Sequence, residues 1–344
     1  MGDRIGAMDR FSELPDYIIH HIMSYLSTDE AAQTCVLSKR WNHLRASFPI
    51  LDFDQIYFVG KDLATRHPDF FSIREKRRFC KLINQFIQFV DASLLRFCKL
   101  KVSMQKFRLS MTLLDVEGDT SLLDNWIELA VANEVKEFDF NVHTDQTIDD
   151  MVYSLPETIF SAKFLTNLKL SGCNWEQSSN TIMFHSLKKL ALDNVSMDEQ
   201  MVQKFISECP LLEDFFISPA WNFKRFCVSH APKLKIVTID GSFYTVESIE
   251  IVAPSLQQCT LIHLGNTCDS LTLDEFRKRS PSLPRDVENL IIDVQKVPPS
   301  KYAAYLDCLL WICFPRVLCI EAKQRKTSIK FIEVSAPEKF VGCS

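Results

Sequence analysis

One spacing constrains this chain more than any other. Leu165, Leu168, Leu170 and Cys173 set out a template, Leu-x-x-Leu-x-Leu, with a small or polar residue three positions further on. It returns as Leu187, Leu190, Leu192 and Val195, then as Leu212, Phe215, Ile217 and Ala220. Leu234, Val237, Ile239 and Ser242 follow, and then Leu256, Cys259, Leu261 and Leu264. The first positions, 165, 187, 212, 234 and 256, stand 22, 25, 22 and 22 residues apart. The last position is the loosest, since Val195 and Leu264 are neither small nor polar. A unit of this length cannot bury its apolar face alone; stacked neighbours share one continuous core. The expected fold class is therefore α/β: a curved parallel sheet of leucine-rich repeats, with helices and loops on the convex side.

Two upstream segments fit the template more loosely: Met104, Phe107 and Leu109, and Val135, Phe138 and Phe140. Their longer spacing leaves room for helices between strands. Leu122, Leu123, Trp126, Ile127, Ala130 and Val131 supply one, at helical spacing. Another is predicted after Ser196, where Ser196 and Glu199 form a capping box ahead of Met201, Val202, Phe205 and Ile206. Within each strand the template residues point inward, so the residues between them point outward. That row is Lys106 and Arg108, Glu137 and Asp139, Asn167 and Lys169, Lys189 and Ala191, Asp214 and Phe216, Ile236 and Thr238, and Gln258 and Thr260. Phe216 and Ile236 are large and apolar in a mostly polar row. Either they anchor a partner or a loop or the C-terminal segment covers them.

Other segments are less regular. PILDFDQIYFVG predicts a short strand leading away from the N-terminal region. Ser72 to Leu95 predicts a long helix with Phe79, Leu82, Ile83, Phe86, Phe89 and Val90 on one face. Its start carries Arg74, Lys76, Arg77 and Arg78, which fit a nuclear import signal, an acidic-partner patch or a solvated helix face; Glu75 and Asp69 dilute the cluster and favour the last. Asn266–Asp286 is polar and holds Pro281 and Pro284, as an inserted loop does. NLIIDV and VLCIEA predict strands, with an apolar helix around Tyr302–Trp311 between them. IKFIEV fits a last strand or a capping element.

Composition excludes several functions. The net charge of −5 gives no electrostatic case for nucleic-acid binding. The 12 cysteines are scattered singly through apolar runs, which predicts buried, reduced thiols rather than a disulfide framework. No apolar h-region opens the chain and no apolar run is long enough to span a bilayer; a soluble protein of the cytoplasm, the nucleus or both is expected. Gly-x-Ser-x-Gly elbows, P-loops and Gly-x-Gly-x-x-Gly loops are absent from the sequence. Cys308, Cys313 and Cys319 lack a histidine at finger-like distance. His20 and His21 point about 100° apart on a helix and do not converge on one metal. Asp149-Asp150 suits a helix start better than a catalytic carboxylate pair. No cofactor, metal or catalytic residue is expected.

The stretch RFSELPDYIIHHIMSYLSTDEAAQTCVLSKRWNHL, Arg10 to Leu44, stands apart from the repeats. Three short helices are predicted in it. Leu14-Pro15 opens the first, because proline is tolerated where no N–H partner is needed. Ser27 and Glu30 form a capping box for the second, and Ser38 caps the third. The segment is too small to bury Leu14, Ile18, Ile22, Leu26, Val36, Leu37 and Trp41 against itself. Either the rest of the chain covers them or a partner does. Leu-Pro, then Ile-x-x-x-Ile-x-x-x-Leu, then Val-Leu-Ser-Lys-Arg-Trp together resemble a plant-type F-box. LDFD, FRLSM, DNWIELAVANEVKEFDF and LTNLKLSGCNW are similar to plant F-box proteins with leucine-rich repeats. LLWICFPRVLCIEA resembles the segment before or within a C-terminal FBD-type module, although the chain stops soon after it.

The resemblance implies a three-helix F-box over 10–50, a linker and helical region over 51–100, and a leucine-rich-repeat solenoid over 101–344 with an inserted loop near 266–286. It implies a non-catalytic substrate-recognition subunit of an SCF-type cullin–RING ubiquitin ligase. The F-box docks on the Skp adaptor, and through it on the cullin and RING subunits, while the solenoid holds a protein target. Carried over by position, the adaptor contacts are Leu14, Pro15, Ile18, Ile22, Leu26, Val36, Leu37 and Trp41, some of which pack internally instead. The target surface is expected at Arg108, Asp139, Lys169, Lys189, Phe216, Ile236 and Thr238. Neither a nucleic acid nor a membrane is an expected partner. Two other readings stay open: a repeat scaffold merely capped by the helical module, and a receptor gated by a small molecule held near Lys169, Lys189 and Phe216.

Overall fold

The computed structural model describes residues 13–61, 71–113, 116–144, 152–175, 183–218, 225–228, 231–240, 248–251, 253–262, 285–293, 313–321 and 329–333. The chain forms two compact units, one ending at Ala162 and one starting at Lys163.

The first unit begins with three short helices, α1 (Asp16–Met23), α2 (Thr28–Gln33) and α3 (Lys39–Ala46). Each starts where the sequence supplies an acceptor for orphan amides. Pro15 stands just ahead of α1 rather than at its first position, and its carbonyl accepts the Ile18 and Ile19 amides at 3.0 and 3.1 Å. At α2 the Ser27 amide donates to the Glu30 carboxylate at 2.9 Å, and the Glu30 amide to the Ser27 hydroxyl at 3.2 Å. The Ser38 hydroxyl accepts the Trp41 amide and starts α3. Ile19, Met23, Trp41, Leu44 and Phe48 close over one another as the module's core, with Leu14, Ile22 and Ile50 packed against them.

Strand β1 (Ile50–Asp54) follows directly and pairs in parallel with β2 (Lys106–Leu113), which pairs in parallel with β3 (Glu137–Thr144). The sheet thus already begins inside the stretch expected as a linker. The entry geometry supports counting β1 as a repeat strand. The Pro49 carbonyl accepts both the Gln105 and Lys106 amides. In the second unit, Thr166, Lys188, Glu213 and Lys235 each accept two amides of the next strand in the same way.

Where β1 ends, the buried Gln55 side chain takes over the ladder by accepting the Thr112 amide at 2.7 Å. On the outer edge of β1, the Thr28 hydroxyl of α2 accepts the Asp52 amide at 2.6 Å. The helical module therefore covers the sheet edge, which would otherwise present unpaired backbone groups. Thr28→Val keeps the shape and removes the acceptor. The expected cost is about 1–3 kcal/mol, that of an unsatisfied amide, with Thr28→Ser close to wild type in thermal melts. A Val variant as stable as the Ser variant would mean that water serves this amide equally well.

Phenylalanine fills the core of this unit. Phe107 stacks on Phe138 at 5.5 Å, Phe138 lies 5.8 Å from Phe140, and Phe53 reaches Phe89 at 5.9 Å. Helix α4 (Gln55–Val59) packs on α5 (Ile73–Cys98), whose predicted face is buried at Phe79, Ile83, Phe86 and Val90. A Ser72–Glu75 capping box starts α5. Helix α6 (Val116–Ala132) buries Leu123, Trp126, Ile127 and Ala130. No helix among the described residues is long and apolar enough to cross a membrane.

The second unit is the regular ladder. Here β4 (Asn167–Ser171), β5 (Lys189–Asp193), β6 (Asp214–Ser218), β7 (Ile236–Asp240) and β8 (Gln258–Ile262) pair in parallel, each with the next. Register matches template position to template position: Leu168, Leu190, Phe215, Val237 and Cys259 lie in one row. The turn after each of the first two strands needs a left-handed residue. Gly172 (φ 70°) and Asn194 (φ 50°), 22 residues apart, supply it; glycine and asparagine are the residues that tolerate it.

The helix expected to start at Ser196 starts later. Asp198 caps α7 (Glu199–Glu208) by accepting the Met201 amide at 2.7 Å, while Ser196 bridges to Asn174 instead. Met201, Val202, Phe205 and Ile206 are buried as predicted. Strands β9 (Arg285–Asp293) and β10 (Cys313–Glu321) extend the parallel ladder, and β11 (Ile329–Glu333) closes it antiparallel to β10. The described part of IKFIEV is thus a strand. Arg285 and Asp286, expected in a loop, open β9. Ala220, Ser242, Leu264, the loop expected at 266–284 and the helix expected at 302–311 lie outside the described residues.

Candidate functional site

The helical module has two sides with opposite character. One is spent internally. Thr28 and Ala31 of α2, with Arg45, Ala46 and Phe48, line a cleft against Leu51, Ser93, Arg96 and Phe97. The other side faces out. Val36 is 88% exposed and ends a short 3-10 turn (Thr34–Val36) that contributes nothing to the core, and Leu37, just after it, is 48% exposed. Pro15 is exposed, and Ile18 and Leu26 are half-buried.

Of the residues expected to touch an adaptor, Leu14 and Ile22 pack partly against the module's own core. Trp41 is the correction. It is 2% exposed and sits among Ile19, Met23, Leu44 and Phe48, so it supports the surface from beneath. Tyr17 and Tyr25, 71% and 76% exposed, are further exposed aromatics of the module that the sequence expectation does not include. The available signal was their aromatic character in a segment already over-rich in apolar residues. Asp16 and Arg40 pair across the module, and His20 lies 3.3 Å from the Leu44 carbonyl, holding α1 on α3.

The outward strand residues divide by unit. In the first, register places Asp52, Arg108 and Asp139 side by side on β1, β2 and β3. The Arg108 guanidinium reaches Asp52 at 3.1 Å, Asp54 at 3.4 Å and Asp139 at 3.6 Å. Burial works against the charged guanidinium, but the three carboxylates outweigh it and hold Arg108 above the ordinary arginine range. Asp52 is pushed up by burial, which Arg108 only partly offsets. Arg108 and Asp139, expected to face a target, are therefore engaged with each other and their neighbours.

In the second unit, Lys169 and Lys189 are exposed, and Lys189 lies 3.7 Å from its register partner Asp214. Phe216 stands beside Thr238, and Ile236 beside Asp214, which makes Phe216 and Ile236 diagonal neighbours on adjacent strands. Phe216, Ile236 and Thr238 are half-buried.

Among the described residues, no three His, Cys, Asp or Glu side chains cluster as metal ligands. Burial pushes the Cys173 and Cys209 thiols up to about 12, leaving both protonated at neutral pH. The Cys98 thiol is also raised by burial, against the Asn133 amide that donates to it at 3.0 Å.

Residues 11–45 match the F-box domain model, and residues 123–274 match the model of the leucine-rich repeats of the FBD-associated F-box protein At5g56370. F-box/LRR-repeat protein At3g58900 of Arabidopsis thaliana is 30% identical over 83% of this chain and 80% of its own length. Putative F-box/LRR-repeat protein At3g59230 and F-box/LRR-repeat protein At3g59190, from the same plant, are 31% and 30% identical over 73% and 68% of this chain. The chain spans about half of these two relatives, 48% and 56% of their lengths. No solved structure matches.

Proposed function

The chain belongs to the family of plant F-box proteins with leucine-rich repeats, and from that premise we propose that it is the substrate-recognition subunit of an SCF-type cullin–RING ubiquitin ligase. The observation that carries this reading is the two-sided helical module. Its inner side covers the sheet edge, and its outer side leaves Val36, Leu37, Tyr17 and Tyr25 in solvent. Pro15, Ile18, Leu26, Val36 and Leu37 dock on the Skp adaptor, with Leu14 and Ile22 contributing their exposed parts. The outward face of the second unit, at Lys169, Lys189, Phe216, Ile236 and Thr238, holds the protein target. The chain supplies no chemistry itself. It raises the effective concentration of target lysines near the ligase's charged conjugating enzyme. A cytoplasmic or nuclear location goes with that role.

The scaffold reading has one observation in its favour, the Thr28 bond to β1, which is what a cap needs. The two roles use different sides of the module, so one variant separates them. Val36→Asp with Leu37→Asp is expected to leave the thermal midpoint near wild type, since neither side chain is in the core. Each large apolar side chain buried on docking contributes roughly 1.5–3 kcal/mol, so co-purification with a Skp adaptor should fall by well over tenfold. A wild-type chain that captures no Skp adaptor would leave the scaffold reading in place.

A further inference from the structure

The outer face of α5 breaks the local electrostatic rules for a helix. Arg74, Arg77, Arg78 and Lys81 stand at i, i+3, i+4 and i+7, opposite the buried Phe79, Ile83 and Phe86. All four are exposed. Like charges at these spacings repel one another. They also sit in the first turns of a 26-residue helix, the end where the macrodipole disfavours cations. None of the four has an ion-pair or hydrogen-bond partner for its side chain among the described residues. The acidic residue among them, Glu75, is committed to the cap, accepting from the Ser72 amide at 2.8 Å and the Ser72 hydroxyl at 2.7 Å. One turn from Arg77, Ile73 is 76% exposed. A face that is merely solvated gains nothing from this arrangement. Violations of several local preferences at one place mark functional or strained sites.

We propose that this lateral face of α5, Arg74, Arg77, Arg78 and Lys81 beside Ile73, docks an acidic segment of a protein partner. The four cations span about 10 Å along the helix. That matches Asp or Glu side chains presented over two turns of a helix or a short extended segment. Three of the four are arginines, whose planar fork takes a carboxylate through two hydrogen bonds. Ile73 offers an apolar seat that a phosphate backbone would not use. The chain's net charge of −5 opposes approach of a long polyanion or an anionic bilayer while leaving a short acidic segment free to reach the patch. Its residues are distinct from those proposed for the adaptor and from the outward strand residues, so this docking does not require a target-binding role for the strands.

The test uses the full chain and a short labelled peptide with glutamates at i, i+3, i+4 and i+7 and one leucine. Its glutamine counterpart, a DNA duplex and vesicles containing phosphatidylserine serve as competitors. The glutamate peptide should bind, weaken with added salt, and lose at least about tenfold in affinity against a chain carrying Arg74→Gln, Arg77→Gln, Arg78→Gln and Lys81→Gln, given the usual worth of exposed ion pairs. That variant should melt no lower than wild type, because its substitutions relieve repulsion, and should still capture the Skp adaptor. Equal binding of the glutamine peptide, an unchanged affinity in the variant, or tighter binding of the duplex or the vesicles overturns the proposal. Loss of adaptor capture by wild type would instead count against the ligase role and leave this surface standing.

Discussion

Trp41→Ala is expected to unfold the N-terminal helical module, with a loss of about 3–5 kcal/mol, the range for removing a large aromatic from a packed core. Trp41 is 2% exposed and its neighbours Ile19, Met23, Leu44 and Phe48 come from two helices and the turn after them. Three helices of 6 to 8 residues are too short to persist alone, so their stability rests on this packing. The loss should show as a lower denaturation midpoint and as early proteolysis near the module. It should also reach β1, because α2 supplies the Thr28 acceptor for the Asp52 amide. Adaptor capture would fall as well, but through the fold. Val36→Asp with Leu37→Asp should lose capture with the melt unchanged. Trp41→Ala with an unchanged midpoint would show that this residue does not hold the module together.

The same contrast explains what was legible in the sequence. Caps were readable because one side chain and one amide three residues on define them: Ser27 with Glu30, and Ser38 with Trp41. The repeats were readable because one template imposes one register, and Leu168, Leu190, Phe215 and Val237 fall into one row. Trp41 packs inside the module, and a position carried over from a motif does not say which of its apolar residues face inward. β1 was not recognised as a sheet strand because α4 and α5 intervene between Leu51 and its register partner Phe107, which hides the period. The pairing of Arg108 needed that register too. With β1 expected to lead away, the sequence places Arg108 in the outward strand row without Asp52 and Asp54 as its neighbours. Ser196 lost the cap to Asp198 because its own backbone is held in the bridge to Asn174.

Arg108→Met is the second large effect, and its pH dependence identifies its cause. The substitution keeps most of the aliphatic stem and removes the cation that stands among Asp52, Asp54 and Asp139. Stripping one partner from a fully buried pair costs several kcal/mol. Here the guanidinium side chain is 32% exposed, so solvent screening reduces the expected loss to about 1–3 kcal/mol at neutral pH. Asp52 carries the pH signature. Burial raises its carboxyl above the unfolded value, so its protonated form favours the fold. Its contribution is therefore fully present below the ordinary carboxylate range and is lost as pH rises through the raised, folded-state value. Removing Arg108 removes the influence that lowers this carboxyl, so it rises further and the window of loss extends towards neutrality. Arg108 itself, held above the usual arginine range, stays charged throughout and adds no slope. The variant should then lie close to wild type in acid, below the ordinary carboxylate range, where Asp52 keeps its proton in both proteins, and fall away as the solution is neutralised. Asp52→Asn in the Arg108→Met background should recover part of the neutral-pH loss, and the double-mutant cycle measures their coupling. A penalty that stays constant across this range, with no recovery by Asp52→Asn, would assign the effect to packing of the arginine stem rather than to the three carboxylates around it.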